Sequence, residues 1–517
     1  MIHLEDTLLA HHAFASHLPQ RLDQVVSTYV DSGPWKVRFG RRGAAEKGLA
    51  PHSMEREELA LYNSGDARLT ALSWNAMQGD LESERKIYEH DKQLSVICQQ
   101  MHIDGIRMDV QRRDYLSKKM KDRATWLRGK MRSLLQKPEF NPARLSDVRW
   151  GLFTKCRAPM LNPTKSGLPS TSSATLEVLA GPHTKAGQLA QLLLYWRVLM
   201  KVRSTYLEAI EVGADGRVHY NWRPYGTVSG RWSCRIQSIP KGDYLEKGKA
   251  KREKDLDLEA RARELYVPDK GHEFIYFDLS QSEMRAAAYL SGDPAFIKTC
   301  ESGDVHSGNA SILFPAQAAI IKADPKGEGK KYRDITKNAG FGILYSAEVQ
   351  TIFMFLRAKG FPVTLREVQI MFDFIRSAYR VYYRFCASNL MQCQQYGFMR
   401  TALLGRIRWI GWYPSPGDVY NFPVQSFIAD LMNLRLIELV RRLRAYRSTR
   451  KVRIAAQVHD AIISEARIGL ASRDTQKIVT DLWAEPIKIP TNGLSFVMPI
   501  DLKTGGRWSH FDGDKAA

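Results

Sequence analysis

The run Phe274-Ile275-Tyr276-Phe277-Asp278-Leu279-Ser280-Gln281-Ser282-Glu283-Met284-Arg285 decides how the rest of this chain is read. It opens as an apolar, aromatic stretch of the kind that makes a buried strand, and it ends in polar and charged groups. A strand that delivers Asp278 at its carboxyl end, then breaks into Ser280, Gln281, Glu283 and Arg285, holds a carboxylate at the mouth of a cleft. A core strand running into a surface helix would look the same, so the remainder of the chain has to decide.

Working outward, 517 residues are too many for one core, and several domains of mixed α/β (α+β) class are expected. A hydrophobic content of 44%, with 11 Trp, 21 Tyr and 20 Phe, suffices for sizeable cores and excludes a disordered chain. The formal net charge of +21 asks for a polyanionic partner, of which nucleic acid is the usual one. An anionic membrane surface would also answer that charge, but there is no long uncharged apolar span and no lipidation signal. The six cysteines, at 98, 156, 234, 300, 386 and 393, form no Cys-x-x-Cys pair, which argues against a structural zinc and a secreted disulfide framework. The start, Met-Ile-His-Leu-Glu-Asp, carries no basic-then-apolar signal, so a reduced, cytoplasmic compartment is expected.

Along the chain, residues 39–43 (Phe-Gly-Arg-Arg-Gly) read as a loop, and 62–74 as a helix with Tyr62 and Asp66 on one face. From 82 to about 132 the pattern is charged and helical, interrupted at His102-Ile103-Asp104-Gly105. Residues 137–185 are rich in Pro, Ser, Thr and Lys and read either as a mobile contact to a phosphate backbone or as a plain surface loop; 189–210 reads as one long helix. Residues 225–240 are turn-rich, and the charge run 247–254 is a solvated loop with no assigned role. Helical patterns then continue to about residue 400, ahead of Leu404-Gly405-Arg406-Ile407-Arg408. Residues 451–466 form two β-branched runs around Val458-His459-Asp460-Ala461, a hairpin with His459 and Asp460 at its bend.

Between the two aspartates lies Arg333-Asp-Ile-Thr-Lys337-Asn-Ala-Gly-Phe341-Gly-Ile-Leu-Tyr345-Ser, whose Arg, Lys, Phe and Tyr recur every four residues along one side of a helix. Phosphoryl transfer from a nucleoside triphosphate needs such a set. Two carboxylates can hold two magnesium ions about 4 Å apart, and Lys and Arg on a facing helix neutralise the phosphates. An aromatic ring one turn on can stack a base, and Gly340 and Gly342 clear space beside it.

In this combination the chain resembles the family A DNA polymerases, the DNA polymerase I family that includes many bacteriophage replicative enzymes. Residues 278–285 resemble the first palm motif, 333–346 the fingers helix, and Val458-His459-Asp460 the second palm carboxylate motif. Ser229-Gly230-Arg231, Asp304-Val305-His306 and Asn421-Phe422-Pro423-Val424-Gln425 resemble smaller family elements in the family's order. The resemblance implies a right hand, with the thumb at 86–205, the palm at 206–295 and 410–517, and the fingers at 296–409 between the palm carboxylates. Residues 1–85 look like the tail of a ribonuclease H-like 3′–5′ exonuclease domain.

The resemblance carries roles onto matched positions. Asp278 and Asp460 are the expected metal ligands, for two Mg²⁺ ions or Mn²⁺ in their place, and with Lys337 the expected catalytic set. Gln281, His306, Arg333 and Lys337 are expected around the triphosphate, and Phe341 against sugar and base. Glu283 is the expected steric gate against a ribose 2′-hydroxyl, with Tyr345 packed beside it. Arg231, Asn421, Gln425 and His459 are expected to contact DNA. The implied partners are primer–template DNA and deoxynucleoside triphosphates, with no membrane. A monomer is expected, serving DNA replication or repair in a phage-infected or bacterial cytoplasm, and a separate exonuclease or processivity subunit is left open.

The sequence departs from the family pattern in four places. Ala461 follows Asp460 where the family usually has Glu, and Ser346 replaces the usual Gly after the fingers Tyr. The stretch between Arg231 and Gln237 is shorter than usual. Tyr62 and Asp66 fit the third exonuclease motif, but the other acidic segments would lie before residue 1, so no proofreading is expected from this chain. Two rival readings are a single-subunit RNA polymerase, which Glu283 argues against, and a non-catalytic DNA-binding protein, which the intact Asp278, Asp460, Arg333 and Lys337 argue against.

Overall fold

The computed structural model describes residues 5–32, 55–239 and 262–508, apart from positions 162, 165 and 225. The expected loop at 39–43 and the charge run at 247–254 lie outside the described residues, as do both ends of the turn-rich stretch 225–240.

The main helices before the central sheet are Thr7–Ala15 (α1), Arg56–Ala76 (α2), Arg85–Asp104 (α3), Val110–Leu135 (α4) and Lys185–Val202 (α5). The expected interruption near 102–105 is a true corner. Gly105, at φ +57, ends α3, and the Asp109 carboxylate accepts from the Arg112 amide to start α4. Helix α4 is solvated on one side and buries Leu116, Met120, Leu127, Met131 and Leu135 on the other, against α5. The long helix expected at 189–210 is corrected at both ends. Thr184 caps it so that it starts at Lys185, and beyond Val202 it widens into a π-helical turn, Arg203–Glu208. The polar segment 137–185 is also more ordered than its composition suggested: Val148, Leu152 and Leu176 anchor short helical pieces in the core.

The central sheet has strands His272–Leu279 (β1), Val452–Val458 (β2), Ala461–Arg467 (β3) and Ile500–Gly505 (β4), in the antiparallel order β4-β1-β3-β2. The hairpin read from sequence at 451–466 is β2–β3. Between β1 and β2 the chain forms Ser282–Ser291 (α6), Val305–Leu313 (α7), Lys330–Leu344 (α8), Leu365–Ala378 (α9), Arg380–Tyr396 (α10) and Pro416–Arg442 (α11); Leu470–Ala484 (α12) follows β3. Helix α6 packs on α11, α12 packs on the sheet, and α7 and α9 flank α8. One contiguous set of buried apolar side chains runs from Leu94 to Trp508 through all of these layers.

The amino-terminal helices are fastened to the hairpin Phe398–Arg400/Ile407–Trp409. Leu9, Ala10, Leu81 and Tyr88 pack with Leu404, and the Trp409 indole donates to the Phe14 carbonyl at 3.1 Å. Beneath them the fully buried Arg406 donates to both oxygens of Asp91 at 2.8 and 3.0 Å. Among the described residues no helix is long and apolar enough to cross a membrane.

Candidate active site

The turn from β1 into α6 is where the functional segments meet. Asp278 stands at the penultimate position of β1, facing Ala461 of β3 and Asp501 of β4 in register. Tyr276, two residues back on the same face, hydrogen-bonds Asp278; burial, then that carboxylate's charge, push its phenol pKa up. Asp460 lies at the β2–β3 bend, its carbonyl accepting from the Leu279 amide at 3.0 Å and its carboxylate from the Ser282 hydroxyl at 3.0 Å. The bend is tight because His459 takes a left-handed conformation, φ +59, which a residue with a Cβ rarely adopts. The two aspartates therefore sit on neighbouring strands at one end of the sheet, and a pair of hard carboxylate donors fits divalent magnesium or manganese.

The next residues of the turn reach outward. Gln281, also left-handed at φ +54, accepts from the Val305 amide at 3.2 Å and so ties α7 to the turn. Glu283 accepts from the Tyr345 hydroxyl at 2.9 Å and from Arg231 at 3.3 Å. Tyr345 is the cap residue just past α8 rather than a residue of the helix, so the four-residue stripe ends one step beyond the regular helix. Burial, then the Glu283 charge, hold the Tyr345 phenol well above its ordinary pKa, which keeps it a donor.

Along α8, Arg333 grips Asp304 with Nε to Oδ2 at 2.5 Å and Nη2 to Oδ1 at 3.2 Å. Asp304 also caps α7, accepting from the His306 amide and the Ser307 hydroxyl. Burial raises the Asp304 carboxyl, but the hydrogen bonds from Arg333 and Ser307 outweigh that and leave it below the ordinary value. His306 is buried, with its ring centroid 5.7 Å from that of Phe341. Burial lowers its imidazole to about 4, so it is neutral at pH 7. Lys337 remains exposed, near enough for its charge to act on His306.

The four residues expected to touch DNA, Arg231, Asn421, Gln425 and His459, all line one open cavity of about 480 Å³. Arg231 is placed by a loop pinned to α11: the Trp232 indole donates to Asn433 at 2.8 Å, and Asn433 donates to the Gly230 carbonyl at 3.2 Å. Gly230 is at φ +81, where a Cβ would stand 3.1 Å from Arg406 Nε, so only glycine suits this approach. Asn421 lines the cleft, and its Oδ1 is buried with no hydrogen-bond partner in the described structure.

Thus the expected residues fall into three adjoining groups: the carboxylates at the strand ends, the cations and ring of α7–α8, and the cleft under α11. The Arg231–Glu283–Tyr345 contact joins the last two. Tyr62 and Asp66 are both on α2, whose buried residues are Leu69 and Ser73. Sequence reasoning missed Asp304 as a partner for Arg333, although Asp304 and Ser307 have the Asp-x-x-Ser spacing of a helix cap. It also missed Arg408 and Gln457, which line the cleft with no local signal.

The profile of DNA polymerase family A matches residues 110–510. DNA polymerase I of Chloroflexus aurantiacus is 26% identical over 494 residues, covering 90% of this chain and 48% of that protein. The thermostable DNA polymerase I of Thermus aquaticus is 26% identical over 446 residues, covering 82% of this chain and 49% of that protein. The chain spans about half the length of these curated relatives. Among solved structures, the POL domain of Pol1 from M. smegmatis, in complex with DNA primer–template and dNTP, matches with a TM-score of 0.75. That match covers 98% of this chain and 82% of the other at 19% identity, and the likeness is one of fold. The right-hand polymerase fold expected from the sequence is the fold observed, and this chain belongs to the family A DNA polymerases.

Proposed function

We propose that this chain is a template-dependent DNA polymerase, adding deoxynucleotides to a primer 3′-hydroxyl, with residues 86–205 as thumb, 206–295 and 410–517 as palm and 296–409 as fingers. The observation that carries the reading is the β1–α6 turn. Within four residues it touches Asp460, the start of α7, the end of α8 and Arg231. Asp278 and Asp460 would hold two Mg²⁺ ions, with Mn²⁺ able to replace them; bound there, the ions activate the 3′-hydroxyl and stabilise the leaving pyrophosphate.

The chain's own side chains do the rest. Lys337 faces the triphosphate, and Arg333 exchanges Asp304 for phosphate oxygens, so negative charge moving onto the leaving group meets fixed cations. Neutral His306 donates an N–H to the phosphates without adding charge, and Gln281 lies beside them. Phe341 packs against sugar and base. Glu283, held from two sides, fills the space a 2′-hydroxyl would need. Arg231, Asn421, Gln425 and His459 line the path of the primer–template, and the net charge of +21 supports a polyanionic partner. The reading places the enzyme in a reducing cytoplasm of a bacterium or a phage-infected cell, as a monomer in replication or repair, and six free cysteines support the compartment. It includes no proofreading by these residues, since Tyr62 and Asp66 offer a single carboxylate and a two-metal nuclease site needs more.

The test is primer extension on a primed template with Mg²⁺, with deoxy- or ribonucleotides, beside Asp460→Ala. Extension with deoxynucleotides alone, lost in the variant, is the expected result. Extension with ribonucleotides would favour an RNA polymerase. No extension with tight primer–template binding retained would favour a DNA-binding protein.

A further inference from the structure

Beyond the far end of α11 is a second cavity, of about 570 Å³, between the close of α3, the end of α11 and the edge strand β2. Its walls carry Arg441, Arg444, Arg447, Arg450 and Arg453, every third residue of one stretch, against a single acidic side chain, Asp104. Gln425 of the first cleft and Arg441 here are on the same helix, sixteen residues and thus about 25 Å apart, so this is not an extension of the nucleotide site.

Two of the five arginines are already neutralised. Arg441 grips Glu438 at 2.7 and 2.6 Å, and Arg453 reaches Asp269 at 2.5 Å and Glu465 at 3.2 Å. Among the described residues, none lies in ion-pair contact with Arg444, Arg447 or Arg450. Arg444 and Arg450 are exposed, whereas Arg447 is half-buried. Burial lowers the Arg447 pKa and the Asp104 charge only partly offsets this, so its cation is desolvated without a close counter-ion. One carboxylate, Asp104, against three guanidinium groups without ion-pair partners leaves the concavity net positive, which favours an added anion among them.

We propose that this pocket binds the phosphates of a polyphosphate or phosphodiester. The fork of N–H donors on a guanidinium matches phosphate oxygens two at a time, and arginine stays charged when partly dehydrated. The volume exceeds what a lone phosphate needs. Only Ile103, Val440 and Val452 offer apolar wall, too little to anchor the side chains of an acidic peptide. A free nucleoside polyphosphate and a nucleic-acid strand share this chemistry.

The experiment separates them by calorimetry on the full chain carrying Arg333→Ala and Lys337→Ala, which removes the phosphate-facing cations of α8. Inorganic tripolyphosphate, a ten-residue oligothymidylate and deca-glutamate are titrated with and without Arg444→Gln/Arg450→Gln, two exposed positions that the fold does not need. Arg447→Gln is a third version. The expected result is at least tenfold weaker binding of a phosphate probe in both arginine variants. Loss confined to tripolyphosphate identifies a free polyphosphate as ligand. Loss with oligothymidylate, and a salt dependence shallower by about 0.7 per contact removed, identifies a strand. Equal binding with and without the arginines overturns the site, and deca-glutamate binding as well as tripolyphosphate overturns the phosphate class in favour of an acidic peptide.

Discussion

At the scale of single residues, Glu283 is the proposed gate against ribonucleotides, and its contacts make that proposal testable. Its two oxygens accept from Tyr345 and Arg231, which hold the carboxylate in one position. Glu283→Ala should raise ribonucleotide relative to deoxynucleotide incorporation by roughly 10–100-fold, the range over which a pocket rejects an added hydroxyl. Tyr345→Phe, which leaves Arg231 in place, should raise it less; the ratio of kcat/KM for the two nucleotides reads both. His306 makes a pH statement. Its folded pKa, about 4, is below the ordinary 6.5, so the unfolded chain binds the extra proton first. Its contribution is fully favourable above pH 6.5 and is lost as pH falls towards 4, by up to roughly 3 kcal/mol. Urea unfolding of His306→Gln should accordingly show a flatter stability–pH curve between those limits; an unchanged slope would refute the assignment. The residue types were legible in the sequence, but Asp304 as the keeper of Arg333 was not, because that contact spans 29 residues.

At the scale of elements, the end of α8 gives physical meaning to a departure noted in the sequence. The Ala347 amide donates to Gly342 and the Ser346 amide to Ile343, a Schellman closure that puts Ser346 at φ +65. A serine there is strained where glycine is not, so Ser346→Gly should stabilise the chain by about 0.5–1 kcal/mol, measured by denaturant midpoint. The buried Arg406–Asp91 pair works in the opposite sense. Burial raises the Asp91 carboxyl, but the Arg406 charge and hydrogen bonds from His12, His90 and Arg406 bring it well below its usual value. Asp91→Asn leaves Arg406 without its main counter-charge and should cost about 3–5 kcal/mol in the same assay. Arg406 also stands where a Cβ on Gly230 would meet it at 3.1 Å, next to Arg231, so this variant should weaken primer–template binding as well. Helices α2, α3, α4 and α8 and the β2–β3 hairpin were readable from periodicity. The π-helical turn after α5 was not, because no Pro or Gly marks it.

For the whole molecule, charge and topology act together. An excess of 21 positive charges on a fold whose cleft carries Arg231 and Arg408 should make DNA affinity steeply salt-dependent. Between 50 and 200 mM salt, primer–template binding should weaken by about a thousandfold if six or more phosphates are contacted. A fluorescence titration series checks this, and a drop of only a few-fold would mean that base and shape contacts dominate. The arginine pocket beyond α11 belongs to this scale too. Its three-residue repeat is visible in the sequence, but a spacing of three in a basic chain usually marks a solvated face.

What the sequence by itself determined was whatever rests on local periodicity and residue chemistry. It marked an aromatic strand ending in a carboxylate, a helix with cations and rings at a four-residue repeat, a hairpin with Asp460 at its bend, and a basic balance that calls for nucleic acid. Only the tertiary structure decided which of those groups meet. Asp460 reaches Ser282 across 178 residues, Tyr345 reaches Glu283 across 62, and Arg406 reaches Asp91 across 315. Such contacts follow from sheet register and helix packing, which depend on the whole buried surface, and no short window of residues carries that information.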